Sequence, residues 1–229
     1  MFDTNIYTLL MQDVSNHLKI LSDMGCDDLD CDAENLARLN RWGSYDFKAK
    51  ETLETILNEL GECSRCILCK SRKTIVFGSG NPSASVVFIG DFPGHDEDLS
   101  GQPFAGDSGE LFTKILQAMN LARDNVYLSN ILKCMPADNH KVTSIEINTC
   151  LPFLKRQLDI INPKIICTLG TIATQSILGL NKTIDSLRGR FYDYNGIMLM
   201  PTYHPLFILR NPVYKRQVWN DMQMIMKQL

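Results

Sequence analysis

The chain has 229 residues, 45% of them hydrophobic, and a formal charge of −3 at pH 7. That length holds one α/β domain plus a short appendage, with enough apolar residues for a real core. The small negative charge argues against a generally basic nucleic-acid coat but leaves room for a local basic cleft.

The N-terminus, MFDTNIYTLLMQDVSNHLKIL, lacks the cationic start, apolar centre and small-residue cleavage site of a secretory signal. No apolar run approaches the roughly eighteen residues of a membrane span. A cytoplasmic protein with no membrane partner is therefore expected, and its eight cysteines read as reduced thiols or metal ligands. Leu9, Leu10, Val14, Leu18 and Leu21 recur at helical spacing and predict one amphipathic helix. An acidic, broken stretch runs from Asp23 to Asp46, and a second helix is expected over Thr52 to Leu60. Residues 1–60 thus read as a helical extension and linker whose partner the sequence does not name. Residues 61–229 read as the principal domain.

Residues 61 to about 83 are a cysteine-rich loop. Cys63 and Cys66 are spaced C-x2-C, which lets two thiolates face one metal centre. Cys134 and Cys150 form a second pair, bracketing the loop MPADNH. Cys150 precedes Pro152, a residue that favours the first turn of a helix. Four thiolates from two places suit either a zinc site or an iron–sulfur cubane, and Cys69 is a possible fifth ligand. Ordinary buried cysteines are the plainer alternative for Cys134 and Cys150. Cys26, Cys31 and Cys167 look incidental, the last a core residue of KIICTLG.

From Val86 the sequence is VVFIGDFPGHDEDLSGQPFAGDSGELF. Its apolar start suits a strand covered on both faces. The strand breaks at Pro93-Gly94 into a loop carrying Asp91, His95, Asp96, Glu97 and Asp98, and a second loop holds Phe104. Open α/β sheets place ligand sites where a strand's C-terminal end opens into such a loop. Strands are predicted over Ser85–Gly90, Asn125–Ser129, Lys164–Leu169 and Ile197–Thr202. Helices are expected near Gly109–Leu121, Ser144–Ile161, Ile172–Leu178 and Val213–Gln228. That alternation implies a mostly parallel sheet with helices on both faces.

Asn130 ends a strand, and its amide offers the donor and acceptor needed to read a pyrimidine edge. It also suits a turn-capping asparagine. His204 follows another strand in MPTYHPLFILRNP, before an apolar loop of Leu206, Phe207, Ile208 and Leu209 that ends at Arg210. Such a loop is either buried core or a wedge for a base stack beside a phosphate-binding arginine.

These motifs resemble the family 4 uracil-DNA glycosylases, the iron–sulfur branch of the uracil-DNA glycosylase superfamily. The resemblance runs from about Gly61 to the C-terminus, in the family's order. CSRC with Arg72 and VFGSGNP is similar to its opening, GDFPGHDEDLSGQPFAGDSGELF to its first site motif, SNILKC…DNH…C to its second, and TYHPLFILRNP to its last. It implies the three-layer α/β/α glycosylase fold and a monomer acting on uracil in single- or double-stranded DNA. The reaction would be hydrolysis of the N-glycosidic bond, leaving an abasic site. A [4Fe–4S] cluster on Cys63, Cys66, Cys134 and Cys150 is implied, acting as a structural clip, since hydrolysis moves no electrons.

Phe104 would stack on the flipped uracil, Asn130 would read its polar edge, and Gly90 and Phe92 would line the base site. His204 would stabilise the charge developing on the leaving base, and Asp91, Glu97 or Asp98 would orient water. Leu206, Phe207 and Arg210 would engage DNA. The chain departs from the family pattern at Asp91, usually glutamate, at Phe92 and Leu206, usually small residues, and at His140, usually a basic partner. A non-catalytic or altered-specificity DNA-binding module of the same fold, with Phe92 filling the pocket, is the competing expectation. As for Phe92 itself, strand alternation places it with Phe88 and Gly90 and favours packing beneath the pocket over filling it.

Overall fold

The computed structural model describes residues 51–229 and, before them, only Asn16, Lys19, Ile20, Asp23 and Met24. The N-terminal helix expected around Leu9–Leu21 thus falls largely outside the described residues, as do Cys26 and Cys31. Two compact units divide between Lys50 and Glu51, and the second carries all the chemistry discussed below.

Six strands form one sheet in the order β1-β3-β2-β4-β6-β5. They are β1 (Ser79–Gly80), β2 (Val86–Gly90), β3 (Tyr127–Asn130), β4 (Ile165–Leu169), β5 (Tyr192–Tyr194) and β6 (Ile197–Thr202). The inner four, β3, β2, β4 and β6, run parallel, and the short edge strands β1 and β5 run antiparallel. Both edge strands go beyond the four predicted. The hairpin between β5 and β6 turns through Asn195 and Gly196, both at positive φ, the conformation that Asn-Gly accepts most readily.

From residue 51 on, eight α-helices follow in chain order: α1 (Leu53–Leu60), α2 (His95–Ser100), α3 (Gly106–Ala118), α4 (Ser144–Ile161), α5 (Thr171–Leu178), α6 (Ile184–Leu187), α7 (Pro205–Arg210) and α8 (Lys215–Met226). The alternation of β2 explains the layers. Val86 and Phe88 face a core with Phe112 and Leu116 of α3 and Val218, Met222 and Ile225 of α8. Val87 and Ile89 face the opposite core, with Leu154 and Leu158 of α4 and Ala173 and Ile177 of α5. This is the expected α/β/α sandwich. Helix α1 sits against α4 through Ile56, Leu60 and Phe153.

Three local expectations are corrected. The segment after Pro93-Gly94 is a helix, because Glu97 caps its own start by accepting from Gly94 N at 2.7 Å. The apolar LFIL segment is also helical, starting at Pro205 in the first turn, where the missing N–H costs nothing. Pro152 lies in the interior of α4 instead of its first turn; the start of α4 is capped by Thr143, whose N–H and Oγ1 reach Glu146 Oε2 at 2.6 and 2.9 Å.

Candidate active site

The chain leaves β2 for β3 on one side of the sheet and returns to β4 on the other. The connections therefore diverge at the C-terminal ends of β2 and β4, the place where open α/β sheets open a crevice. Gly90 ends β2 there, Asn130 ends β3, Gly170 follows β4, and His204 follows β6.

Three side chains converge on Gly90. A Cβ at that position would lie 2.3 Å from Asn130 Oδ1, 3.1 Å from Phe104 Cζ and 3.4 Å from His204 Nε2. Only glycine leaves the space open. Asn130 Oδ1 is buried and has no hydrogen-bond partner, an arrangement that costs free energy until a donor arrives. The other end of the amide is occupied, since Nδ2 donates to Glu97 Oε1 at 3.3 Å.

Phe104 has a positive φ of 55°, rare for a large side chain. Glu97 Oε1 accepts from its N–H at 2.6 Å. Arg123 donates to its carbonyl at 3.1 Å and to that of Pro103 at 2.6 Å. Gly109 allows the close approach, because a Cβ there would meet Phe104 O at 1.8 Å. The ring is fixed at 6.0 Å from the His204 ring, nearly parallel to it. His204 caps α7, its Nδ1 accepting from Leu206 N at 3.2 Å, which leaves Nε2 as the protonated nitrogen of the neutral ring, on the Gly90 side. Burial lowers its pKa to about 4, so the ring is neutral at pH 7.

Asp91 sits between β2 and β4. Its Oδ1 accepts from Ala173 N at 2.6 Å, capping the N-terminus of α5 from a neighbouring strand. Burial nonetheless pushes its pKa up to about 7, against the backbone donors of Ala173 and Ile172. Asp98 is remote in role from the other acids: its carboxylate accepts from Lys73 and Thr74 N–H and fastens the cysteine loop to α2. Phe92 is not packed beneath the site. It is 36% exposed, because the chain turns outward at Pro93 instead of continuing the strand's alternation, and it is not among the atoms closing on Gly90.

Helix α7 presents Leu206, Phe207, Leu209 and Arg210 to solvent and buries Pro205 and Ile208. Phe207 is stacked on Tyr203 at 5.0 Å and flanked by Tyr214 at 5.1 Å, so the exposed apolar face is rigidly backed. Beneath it, Asp221 of α8 accepts from Thr202 Oγ1 at 2.6 Å and pairs with Arg188 at 2.6 Å.

The cysteine pairs come together from three elements. Cys63 and Cys66 follow α1, Cys134 follows β3, and Cys150 lies in α4; all four are free thiols. Burial, and then the neighbouring sulfurs Cys150 and Cys66, raise the Cys134 pKa to about 11, against the nearby Arg72. Burial likewise raises that of Cys150, which also feels Cys66 and Cys63. Arg72 donates to Cys134 Sγ at 3.2 Å, and Lys133 lies against Cys150. Thiols from these three elements, with Arg72 on Cys134 and Lys133 against Cys150, form a donor set that fits an anionic thiolate cluster. Among the described residues no group of three or more His, Cys, Asp or Glu lies close enough together to hold a single metal ion. Cys167 is fully buried in β4, as expected.

Several residues of the site were missed or misread. Glu97 stood among the acids as a water-orienting candidate, though its place three residues after Gly94 signalled a cap. Lys133, buried in the apolar run ILKC, donates to Ser129 Oγ, Asn130 O and Gln157 Oε1 at 2.5, 3.0 and 2.8 Å. A lysine so placed was a visible oddity. Arg123 carried no sequence signal.

A sequence model of the uracil DNA glycosylase superfamily matches residues 77–223. The chain is 37% identical over 188 residues to a type-4 uracil-DNA glycosylase of Saccharolobus solfataricus, covering 78% of this chain and 87% of that one. It is 37% identical to that of Archaeoglobus fulgidus over 76% of this chain and 92% of the relative. For that of Sulfurisphaera tokodaii the identity is 39% over 76% and 84%. The chain belongs to the uracil-DNA glycosylase superfamily, in its type-4 family.

Proposed function

We propose that this protein is a monofunctional glycosylase that hydrolyses the N-glycosidic bond of uracil in DNA and leaves an abasic site for base excision repair. The observation that carries this reading is the unpartnered Asn130 Oδ1, which meets Phe104 and His204 over Gly90 in a space that a methyl group would fill. A flipped uracil stacks on Phe104 and supplies the missing donor from its N3–H, while the remaining N–H of Asn130 reaches O4. As the glycosidic bond breaks, negative charge grows on the base, and the neutral His204 donates Nε2–H to O2 where that charge collects. Ionised Asp91 orients water and favours the cationic sugar. Exposed Leu206 and Phe207 of α7 hold the duplex open, and Arg210 contacts phosphate.

Cys63, Cys66, Cys134 and Cys150 hold a [4Fe–4S] cluster, whose bound form clips α1, β3 and α4 together. Residues 61–229 form the glycosylase domain, with α1 packed on its α4. The competing DNA-binding module placed Phe92 in the base pocket; the 36% exposure of Phe92 supports the catalytic reading over it. The test is a single-stranded oligonucleotide with one uracil, incubated with protein and then alkali. Scission at the uracil is expected, and Asn130→Ala and His204→Ala should each slow it about 10²-fold or more while binding to uracil-free DNA persists. An intact strand after incubation with the native protein overturns the reading.

A further inference from the structure

We propose that Glu97 is the residue that sets the base preference of the pocket, by holding the Asn130 amide with its oxygen toward the base. This deepens the uracil-excision reading and rests on it. An asparagine amide is nearly symmetric in shape, so nothing in its size decides which end faces a ligand. With the oxygen inward it accepts from the N3–H of uracil. Inverted, it presents NH2 to that N–H and instead complements the ring N3 acceptor of cytosine.

An ionised carboxylate only accepts, so the Asn130 NH2 group is the end that faces Glu97 Oε1 at 3.3 Å, and Oδ1 is left alone in the pocket. Glu97 is itself immobile. Its Oε2 accepts from Gly94 N at 2.7 Å, and Oε1 also accepts from Phe104 N at 2.6 Å. One buried carboxylate therefore fixes both the platform and the reader. The two roles separate experimentally, because stacking on an aromatic tolerates any base whereas amide orientation does not. Loosening Phe104 slows excision of uracil and cytosine alike; freeing Asn130 changes their ratio.

The experiment measures alkali scission of single-stranded oligonucleotides carrying one uracil or one scissile-position cytosine, for native protein and variants. Glu97→Ala, and Glu97→Met as a space-filling variant without an acceptor, should lower the uracil-to-cytosine ratio by roughly tenfold to a hundredfold, the worth of one base-reading contact. Glu97→Gln keeps an acceptor toward Phe104 and Asn130 by setting its NH2 against the Gly94 N–H, which loses that cap but still restrains the Asn130 amide, so its ratio should stay within about threefold of native. In an Asn130→Ala background, Glu97→Ala should leave the ratio where it is, as coupling through Asn130 requires. Equal loss on both bases in Glu97→Ala and Glu97→Met, or a Glu97→Gln ratio as low as theirs, overturns the proposal. If the native protein excises no uracil, the function reading fails with it; native selectivity with unchanged ratios in the variants defeats this inference alone.

Discussion

Asp91 and His204 carry opposite pH signatures. The Asp91 carboxyl is pushed from its ordinary value up to about 7 by burial, so the folded chain keeps a proton that the unfolded chain has released above about pH 4. Stability therefore falls as pH rises from about 4 through 7, the direction in which the unfolded state binds fewer protons. In the proposed reaction Asp91 acts ionised, so excision should rise over the upper part of that range. Asp91→Asn is expected to melt higher than the native protein at pH 8 and to lose most excision, together with its rise between pH 6 and 8. A native profile flat over that interval would remove Asp91 from the reaction. His204 is held neutral by a pKa lowered to about 4, so its contribution to stability is present above its ordinary value of 6.5 and disappears as pH falls through 6.5 toward 4. Phe92, 36% exposed, should tolerate alanine within about 1 kcal/mol in a denaturant melt, far less than an emptied core site.

Among the elements, α7 is where sequence and structure differ most usefully. Leu206, Phe207, Ile208 and Leu209 form an unbroken apolar run whose pattern alone does not separate wedge from core. The fold divides it, sending Ile208 inward and the other three outward. Arg210→Ala should weaken binding to all DNA sequences and reduce the slope of log affinity against log salt by about one unit, measured by fluorescence anisotropy across a salt series. An unchanged slope would take Arg210 off the phosphate backbone. The inner strands were legible because each is a continuous apolar run between turn residues. Helix α2 was not, because HDEDLS has no apolar face and its start depends on Glu97 reaching back to Gly94. The β5–β6 hairpin had a readable Asn-Gly turn and was passed over. Asn130 and His204 were legible as polar groups at strand ends, but the Glu97–Asn130 contact joins residues far apart in the chain, which no local pattern contains.

At the scale of the whole molecule, the proposed cluster would tie a loop after α1 to the end of β3 and the middle of α4. The purified protein should be brown, and Cys134→Ser should lose colour and thermal stability together, since metal binding and folding are linked. Cys69→Ser should keep both; bleaching in that variant, or a colourless zinc protein prepared without oxygen, would refute the ligand assignment. The Asp221 contacts have a temporal consequence. Asp221 lies on α8, downstream of every pocket residue, yet it grips Thr202, two residues before His204, and α8 fills the core behind β2 with Val218, Met222 and Ile225. During synthesis every residue of the pocket emerges before the helix that steadies His204 does. A chain ended after Tyr214 retains Gly90, Phe104, Asn130 and His204 and should excise no uracil, so that repair competence waits until α8 has emerged and packed.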